Sequence, residues 1–247
     1  MATSGITTYS LTRDQIISFA LRKIGVLELG VTANATEVTN AAQALDMMIK
    51  SWITKGIKLW SLNEITIPLV ADSFSYIIGP TGATPTPSVI ADKPMKLMQA
   101  WLRNTTVTPN NDIPLMLISQ NEYLKFGSKF STGTPNACYL QVLRDTSTLF
   151  TYLTPGTTAA ATYQLHILTQ RPIQDAGTAT ATLDFPNEWL YALGWNLAAE
   201  LSTDYGVDAE RIMYIESKAA KYLGEVEDFD TEYASIYLAP DLRYRSH

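Results

Sequence analysis

The chain has 247 residues, of which 46% are hydrophobic and 17% are charged, and its formal net charge is -6 at pH 7. The low charged fraction is consistent either with large subunit interfaces or with a surface rich in Thr, Ser and Asn. The negative charge excludes a protein that grips nucleic-acid phosphates through a basic face, since such a face needs clustered Lys and Arg. The single cysteine, Cys138, excludes an internal disulfide framework, and we interpret it as a buried structural thiol.

The N-terminal region predicts an αα-hairpin. Thr12, with Gln15 three residues later, forms a capping pattern that opens the first helix. Apolar residues then recur at helical spacing, and Gly30 is the predicted end of that segment. A second helix is predicted to begin near Asn34 or Thr36 and to end at Gly56.

From Glu64 to about Arg171 the apolar residues alternate, which is typical of strands, and turn-forming Gly, Pro and Asn residues separate the runs. One short helix is predicted inside this region, opened by Ser119 with Glu122 three residues on. Seven short strands suggest a β-sandwich or an open barrel. The predicted strands cover residues 65–70, 74–78, 95–103, 113–118, 137–144, 147–153 and 161–170.

Two further helices are predicted after residue 182. The third has Pro186 in its first turn and an apolar stripe that runs from Leu190 to Tyr205, and the fourth ends around Gly224. Tryptophans lie in or beside the helical segments, two of them off the stripe of the third helix, which indicates a second apolar face. Core packing of a larger bundle and a subunit contact are both consistent with this face. The predicted subunit-interface residues are Trp52, Trp60, Trp189 and Trp195.

Together these elements predict an α+β protein in which a helical bundle from both chain ends carries an inserted antiparallel β-sandwich or barrel-like domain. The predicted helical domain comprises residues 1–62 and 184–226, and the β-domain comprises residues 63–183. Residues 227–247 are predicted to form an extended C-terminal arm, because they are too apolar for an inert tail and too short to bury themselves. A frayed terminus is the alternative. The predicted docking residues of the arm are Tyr233, Ile236, Tyr237, Leu238, Leu242, Arg243, Tyr244 and Arg245.

No set of residues in the sequence indicates a catalytic, metal or cofactor site. His166 and His247 have no Asp, Glu or Cys at ligand spacing, and the glycines occur singly rather than in a phosphate-binding loop. Carboxylates such as Glu188 and Glu200 have nothing in their spacing that directs them at a cleft. The sequence has no signal-peptide pattern and no apolar run of the ~20 residues that a bilayer requires, so we expect synthesis in a cytoplasm without a membrane span. The prediction is a protein that is not an enzyme.

A series of short motifs, in order along nearly the whole chain, resembles the head-to-tail adaptor (connector) family of tailed phages. The resemblance is to the short-tailed-phage type, also described as tail tubular protein A or packaged-DNA stabilisation protein. Two features depart from the family pattern: Leu153 stands where a tyrosine is expected before Thr154-Pro155, and the C-terminal arm has no matching motif. The motifs are Lys50 to Trp60, Ala100 to Arg103, Ile113 to Leu115, Ile118 to Tyr123, Gly133 to Pro135, Phe185 to Trp189, and Tyr205-Gly206.

The resemblance implies a structural role in the virion neck. It implies a helical domain that assembles side by side into a ring, commonly of twelve copies, beneath the portal protein at the capsid vertex. It also implies a C-terminal segment that reaches the portal and a β-domain directed outward or downward. The ring would retain packaged DNA, which passes through the lumen without sequence-specific binding, and would dock the tail nozzle or tail tube protein.

Two other hypotheses stay open at the level of sequence. A carbohydrate-binding or receptor-binding tail module would use the β-domain and predicts exposed aromatic residues converging on one sheet face. A cell-wall hydrolase would need a catalytic carboxylate, and nothing in the sequence identifies one.

Overall fold

The protein belongs to the α+β class, which confirms the general fold prediction. The computed structural model describes residues 5, 9–54, 56 and 59–230. Within these residues helices lie near both ends of the chain and strands lie between them. The helices are α1 (Arg13–Ile24), α2 (Ala35–Ile53), α3 (Gln120–Lys125), α4 (Thr157–Thr162), α5 (Leu190–Asp204) and α6 (Ala209–Phe229).

Capping residues begin α1, α2 and α3 where the sequence predicts, whereas α5 begins at Leu190, later than the predicted start at Pro186. The Gln15 N–H donates to Thr12 Oγ1 at 3.4 Å, and the Thr12 N–H donates to Gln15 Oε1 at 2.9 Å, so both halves of the capping box form. Ser119 and Glu122 form the same arrangement before α3. Helix ends were less well predicted. Helix α1 ends at Ile24 because Gly25 adopts a left-handed conformation with φ 84, and the predicted end at Gly30 is wrong.

Helix α6 is longer than its pattern indicates. The prediction of an end around Gly224 is wrong, since the helix continues through Glu225 and Val226 to Phe229. Gly224 is conformationally permissive but does not force a break, and the residues after it include the good helix former Glu. The beginning of the predicted arm at residue 227 is therefore still helical.

The strands form two main sheets that are open at their edges. The first has the strand order β1-β11-β4-β5, and the second has the order β3-β2-β9-β8-β6. Most pairings are antiparallel, but β3 with β2, β6 with β8 and β7 with β10 are parallel, which corrects the prediction of a purely antiparallel domain. The strands are β1 (Leu62–Pro68), β2 (Ser75–Gly79), β3 (Val89–Ile90), β4 (Lys96–Asn104), β5 (Asn111–Pro114), β6 (Met116–Leu117), β7 (Thr132–Gly133), β8 (Ala137–Val142), β9 (Ser147–Tyr152), β10 (Thr154–Pro155) and β11 (Tyr163–Gln170).

Both sheets contribute to one apolar cluster. Ile67, Leu102 and Leu165 come from the first sheet, whereas Ile78 and Leu149 come from the second, and all five are fully buried. Leu115 joins β5, at the edge of one sheet, to β6, at the edge of the other. Cys138 is buried in the same cluster, and burial raises the pKa of its thiol to about 12, as expected for a structural thiol.

A second apolar cluster belongs to the helices. Helices α1 and α5 pack against each other, and α2 and α6 each pack against that pair. The segment after β11 joins this cluster through Ile173, Ala176 and Leu183. These residues were assigned to the β-domain from sequence, so the helical core begins earlier than the predicted boundary at residue 184.

An ion pair stands where the chain leaves β11 for the helices. Arg171 Nη2 lies 2.9 Å from Asp184 Oδ1, and its other terminal nitrogen contacts the second carboxylate oxygen. The Gln174 N–H also donates to Asp184. Burial opposes ionisation of Asp184, but these hydrogen bonds outweigh it and hold the pKa of the carboxyl below its ordinary value.

Candidate interaction surfaces

Three of the four tryptophans predicted at a subunit interface lie in the chain's own core. Trp52, Trp189 and Trp195 are buried, and only Trp60 keeps a partly exposed side chain. Trp60 packs on Trp189 with ring centroids 4.8 Å apart, and Trp52 packs on Trp189 at 5.8 Å. The side chains of Trp52, Trp189 and Trp195 are therefore covered by this chain and do not need a neighbouring copy to cover them.

The position of helix α5 explains why Trp189 and Trp195 are buried within the chain. Its second apolar side does exist, but α1, α2 and α6 of the same chain pack around the helix. Nine of its residues are buried, which is the pattern of a central helix rather than a surface one. The larger-bundle alternative is the correct interpretation of Trp189 and Trp195.

Exposed and partly exposed aromatic residues of the helices gather around the buried Trp195 on one side formed by α1, α5 and α6. We call this the helical aromatic face. Tyr191 lies 5.7 Å from Phe19 and 4.6 Å from Tyr222, and Trp195 lies 6.2 Å from Tyr214, measured between ring centroids. Most of these pairs meet edge to face, the arrangement that the ring quadrupoles favour. The face consists of Phe19, Tyr191, Trp195, Tyr214 and Tyr222.

Three lysines lie over the rings of this face. Lys23 Nζ is 4.9 Å from the Phe19 centroid, Lys218 Nζ is 5.5 Å from Tyr214 and Lys221 Nζ is 5.8 Å from Tyr222. Each distance is within cation–π range. Lysine side chains therefore lie against the helical aromatic face although the chain as a whole has a net charge of -6.

A shallow apolar groove continues the helical aromatic face towards the start of α5. It has a volume of ≈ 330 Å³ and includes Tyr9, Leu11 and Leu190 together with Phe19 and Tyr191 of the face. Gly194 permits this packing. A Cβ at that position would lie 2.4 Å from Phe19 Cδ1, so only glycine lets the Phe19 ring rest directly on the α5 backbone.

Helix α6 is the most weakly covered of the long helices. Only Ile215 and Ala219 are buried along its 21 residues. Met213 is 63% exposed and Tyr214 is 56% exposed near its beginning, and Phe229 is 73% exposed at its end. On helix α2, Met47 is 74% exposed. Large apolar side chains are thus exposed on two different helices of the helical body, α2 and α6.

A second aromatic group lies on the five-stranded sheet and under α3. Its rings stack on one another: Phe126 and Tyr152 have centroids 4.0 Å apart, and Tyr139 and Phe150 have centroids 5.8 Å apart. Phe130 is its most exposed ring, at 71%. We call this group the sheet aromatic face, and it consists of Phe74, Tyr123, Phe126, Phe130, Tyr139, Phe150 and Tyr152.

His166 is held within the first sheet. Its Nδ1 lies 2.6 Å from Glu64 Oε1, and its ring stacks on Trp101 at 5.6 Å. Both neighbours come from strands that pair with β11 in register. Searching the described part of the chain for three or more His, Cys, Asp or Glu side chains able to share a metal ion finds no such group.

The predicted docking residues of the arm, Tyr233 to Arg245, lie outside the described residues. Sequence reasoning also missed both aromatic faces. For the helical aromatic face a signal existed, since Tyr214, Lys218, Lys221 and Tyr222 combine aromatic and basic side chains at helical spacing. The sheet aromatic face had a weaker signal, because its rings come from distant segments.

None of the helices among the described residues combines the length and apolar character needed to cross a bilayer. A scan against protein-family models finds no match for this chain, and a search of curated proteins finds none either.

Proposed function

We propose that the protein is a structural, non-enzymatic adaptor of a phage neck, which assembles as a ring, commonly of twelve copies, beneath the portal. The observation that supports this most directly is the pair of apolar flanks on the helical body, marked by Met47 on α2 and Met213 on α6. Helices α2 and α6 each pack against the α1–α5 pair, and in the ring they would face different neighbours. The virion would be the site of function, after synthesis in the host cytoplasm.

Two different surfaces on opposite sides of a subunit are what a closed ring requires. In a cyclic assembly each copy uses one surface towards one neighbour and the other surface towards the next, so the contact is heterologous. An α6 flank that carries Met213 and small residues such as Ala220 and Gly224 allows close approach of the neighbour's α2. In this arrangement the ring would bury side chains that the single chain leaves in water.

The remaining parts of the proposal concern the β-domain and the C-terminal segment. The two sheets with a shared apolar cluster support a sandwich-like inserted domain, which would dock the tail nozzle or tail tube protein. Residues 231–247 begin just beyond the end of α6, and their Tyr, Leu and Arg side chains would contact the portal. Packaged DNA would pass through the lumen without sequence-specific contacts, consistent with the net charge of -6.

Electron microscopy of the full chain mixed with the portal protein of the same phage tests the ring. The expected result is a closed ring on the portal whose copies can be counted. Met47→Glu should reduce ring formation, because the new carboxylate would have to lose its water at the contact. Met116→Glu is the matched control, since Met116 is similarly exposed but lies on the β-domain. Portal that carries no ring, with the wild-type chain present, would refute the proposal.

The arm has its own test. Removing residues 230–247 should leave a folded protein that no longer binds the portal, because the anchoring side chains are lost. Sizing chromatography of the truncated chain with portal measures this, and undiminished co-elution would contradict the role of the arm.

A second candidate function is a carbohydrate-binding or receptor-binding tail module, which the sheet aromatic face favours. Aromatic side chains converge there on one sheet face, but most rings stack on each other and Phe130 alone among them is mostly exposed. A sugar needs open ring faces on which to stack. A glycan array probed with the full chain and with Phe130→Ala tests this function, which requires binding that the substitution abolishes.

A further inference from the structure

One side of α6 has a pattern that is nearly the same when read in either direction. Starting between Lys221 and Tyr222, the residue three positions before Lys221 is Lys218 and the residue three positions after Tyr222 is Glu225. Seven positions out in each direction are two aromatic residues, Tyr214 and Phe229. The pattern is symmetric in the outer aromatic residues and antisymmetric in charge at Lys218 and Glu225, whereas Lys221 at the centre has Tyr222 as its counterpart.

These residues also lie on one side of the helix. An α-helix turns by about 100° per residue, so steps of four, three, four and four residues keep Tyr214, Lys218, Lys221, Glu225 and Phe229 on one stripe. Tyr214 and Phe229 are among the most exposed large apolar side chains of the chain, at 56% and 73%. Side chains of Lys221 and Glu225 are also more than half exposed. We call this set the α6 stripe.

The charge pattern of the α6 stripe favours an antiparallel second copy of the same helix over a parallel one. An antiparallel copy of the same stripe places Lys218 level with Glu225 of the other copy, and the two-fold axis repeats this contact. The same alignment places Tyr214 beside Phe229 of the other copy, again twice. A parallel copy would instead set Lys218 beside Lys218 and Glu225 beside Glu225, which like charges oppose.

We propose that two copies of this chain pair through antiparallel α6 helices, with the two-fold axis beside Lys221 and Tyr222. Each copy covers the exposed rings of Tyr214 and Phe229 of the other, and two Lys218–Glu225 pairs set the register. Within one chain Glu225 lies 3.7 Å from Lys221, so its carboxylate lies along the stripe and would be shared between Lys221 and Lys218 of the second copy.

This pairing goes beyond the proposed ring and does not depend on it. On a helical wheel Met213, Ala220 and Gly224 lie on a different side of α6 from the stripe, so the pair and the ring contact use separate surfaces. Whether the portal carries a ring therefore tests the adaptor function, and whether the free chain pairs tests the present inference.

Sedimentation equilibrium of the full chain, with charge reversal at the two stripe positions, tests the pairing. The wild type should show a reversible monomer–dimer equilibrium that weakens at high salt, because the ion pairs are exposed. Glu225→Lys and Lys218→Glu should each weaken the dimer by about tenfold or more, since each replaces two attractive contacts by two repulsive ones. The double variant Lys218→Glu/Glu225→Lys should regain most of the wild-type affinity.

Matched controls separate the stripe from general effects of charge. Glu216→Lys makes the same charge change on another exposed side of α6 and should leave the dimer unchanged. Lys221→Cys, beside the two-fold axis, should form a disulfide-linked dimer under mild oxidation, whereas Glu216→Cys should not; the native Cys138 is buried and does not interfere. A monomeric wild type, or a double variant that pairs no better than the single variants, would overturn the inference.

Discussion

The helical and sheet aromatic faces contain similar residues but use them differently. In the sheet aromatic face the rings lie flat on one another, as Phe126 and Tyr152 do at an interplanar angle of 13°, and so they cover themselves. In the helical aromatic face the rings meet edge to face, and Tyr191 and Tyr214 keep about half of their surface in water. Clustered aromatic residues thus stabilise a fold in one place and leave a surface for association in the other.

The largest effect is expected where an aromatic residue of the helices is fully enclosed. Trp189 is 1% exposed and packs against two other tryptophans, so Trp189→Ala should lower the free energy of unfolding by about 3–5 kcal/mol. Tyr191 lies two residues later and is 46% exposed. Tyr191→Ala should therefore lower the free energy of unfolding by less than about 1 kcal/mol. Urea unfolding of both variants measures the difference, and equal losses would show that the helical aromatic face is part of the core.

The next prediction sets the two aromatic faces against each other. Phe126→Ala removes a ring that stacks on Tyr152 and should destabilise the protein by about 2 kcal/mol. Tyr214→Ala, on the helical aromatic face, should cost about 0.5 kcal/mol or less, because its ring is mostly in water. Thermal unfolding followed by circular dichroism gives both values. If Tyr214→Ala were the more damaging change, the assignment of roles to the two faces would be reversed.

Local signals in the sequence identified helix starts well, and long-range packing accounts for what they missed. The two capping boxes each join residues that are three positions apart, Thr12 with Gln15 and Ser119 with Glu122. Their hydrogen bonds can therefore be predicted from the sequence alone. Gly25 and Gly30 both suit a helix end and both adopt a left-handed conformation, with φ 84 and φ 87, but the helix already ends at the first of them. At Trp195, sequence periodicity finds an apolar side of α5 but does not show that α1 and α6 of the same chain cover it. The rings of the sheet aromatic face come from segments near residues 74, 126 and 150, which only the folded chain brings together.

The stability contributed by the Arg171–Asp184 ion pair, at the junction between the strands and the helices, should depend on pH. In the folded state hydrogen bonds from Arg171 and Gln174 hold the pKa of Asp184 below its ordinary value, so the ionised carboxylate stabilises the fold. That contribution is present above the unfolded pKa of about 4 and is lost as the pH falls through the folded pKa. Asp184→Asn should cost about 2 kcal/mol at pH 7, and the difference from wild type should shrink in acid. Urea midpoints of both proteins from pH 7 to pH 3 measure this, and a difference that does not change with pH would exclude the ionised pair as its source.

A small net effect is expected at Gly194, where two energetic contributions oppose each other. Alanine is favoured over glycine inside a helix by about 1 kcal/mol, whereas the new Cβ, 2.4 Å from Phe19 Cδ1, imposes an overpacking cost of about 1–3 kcal/mol. Gly194→Ala should therefore lower the free energy of unfolding by about 1 kcal/mol and move the Phe19 ring off the α5 backbone. Phe19→Ala/Gly194→Ala removes the clash, so alanine at residue 194 should then stabilise the protein relative to Phe19→Ala alone. A Gly194→Ala protein more stable than wild type would mean that the Phe19 ring moves aside without cost, and that the helical aromatic face is less rigid than its edge-to-face contacts indicate.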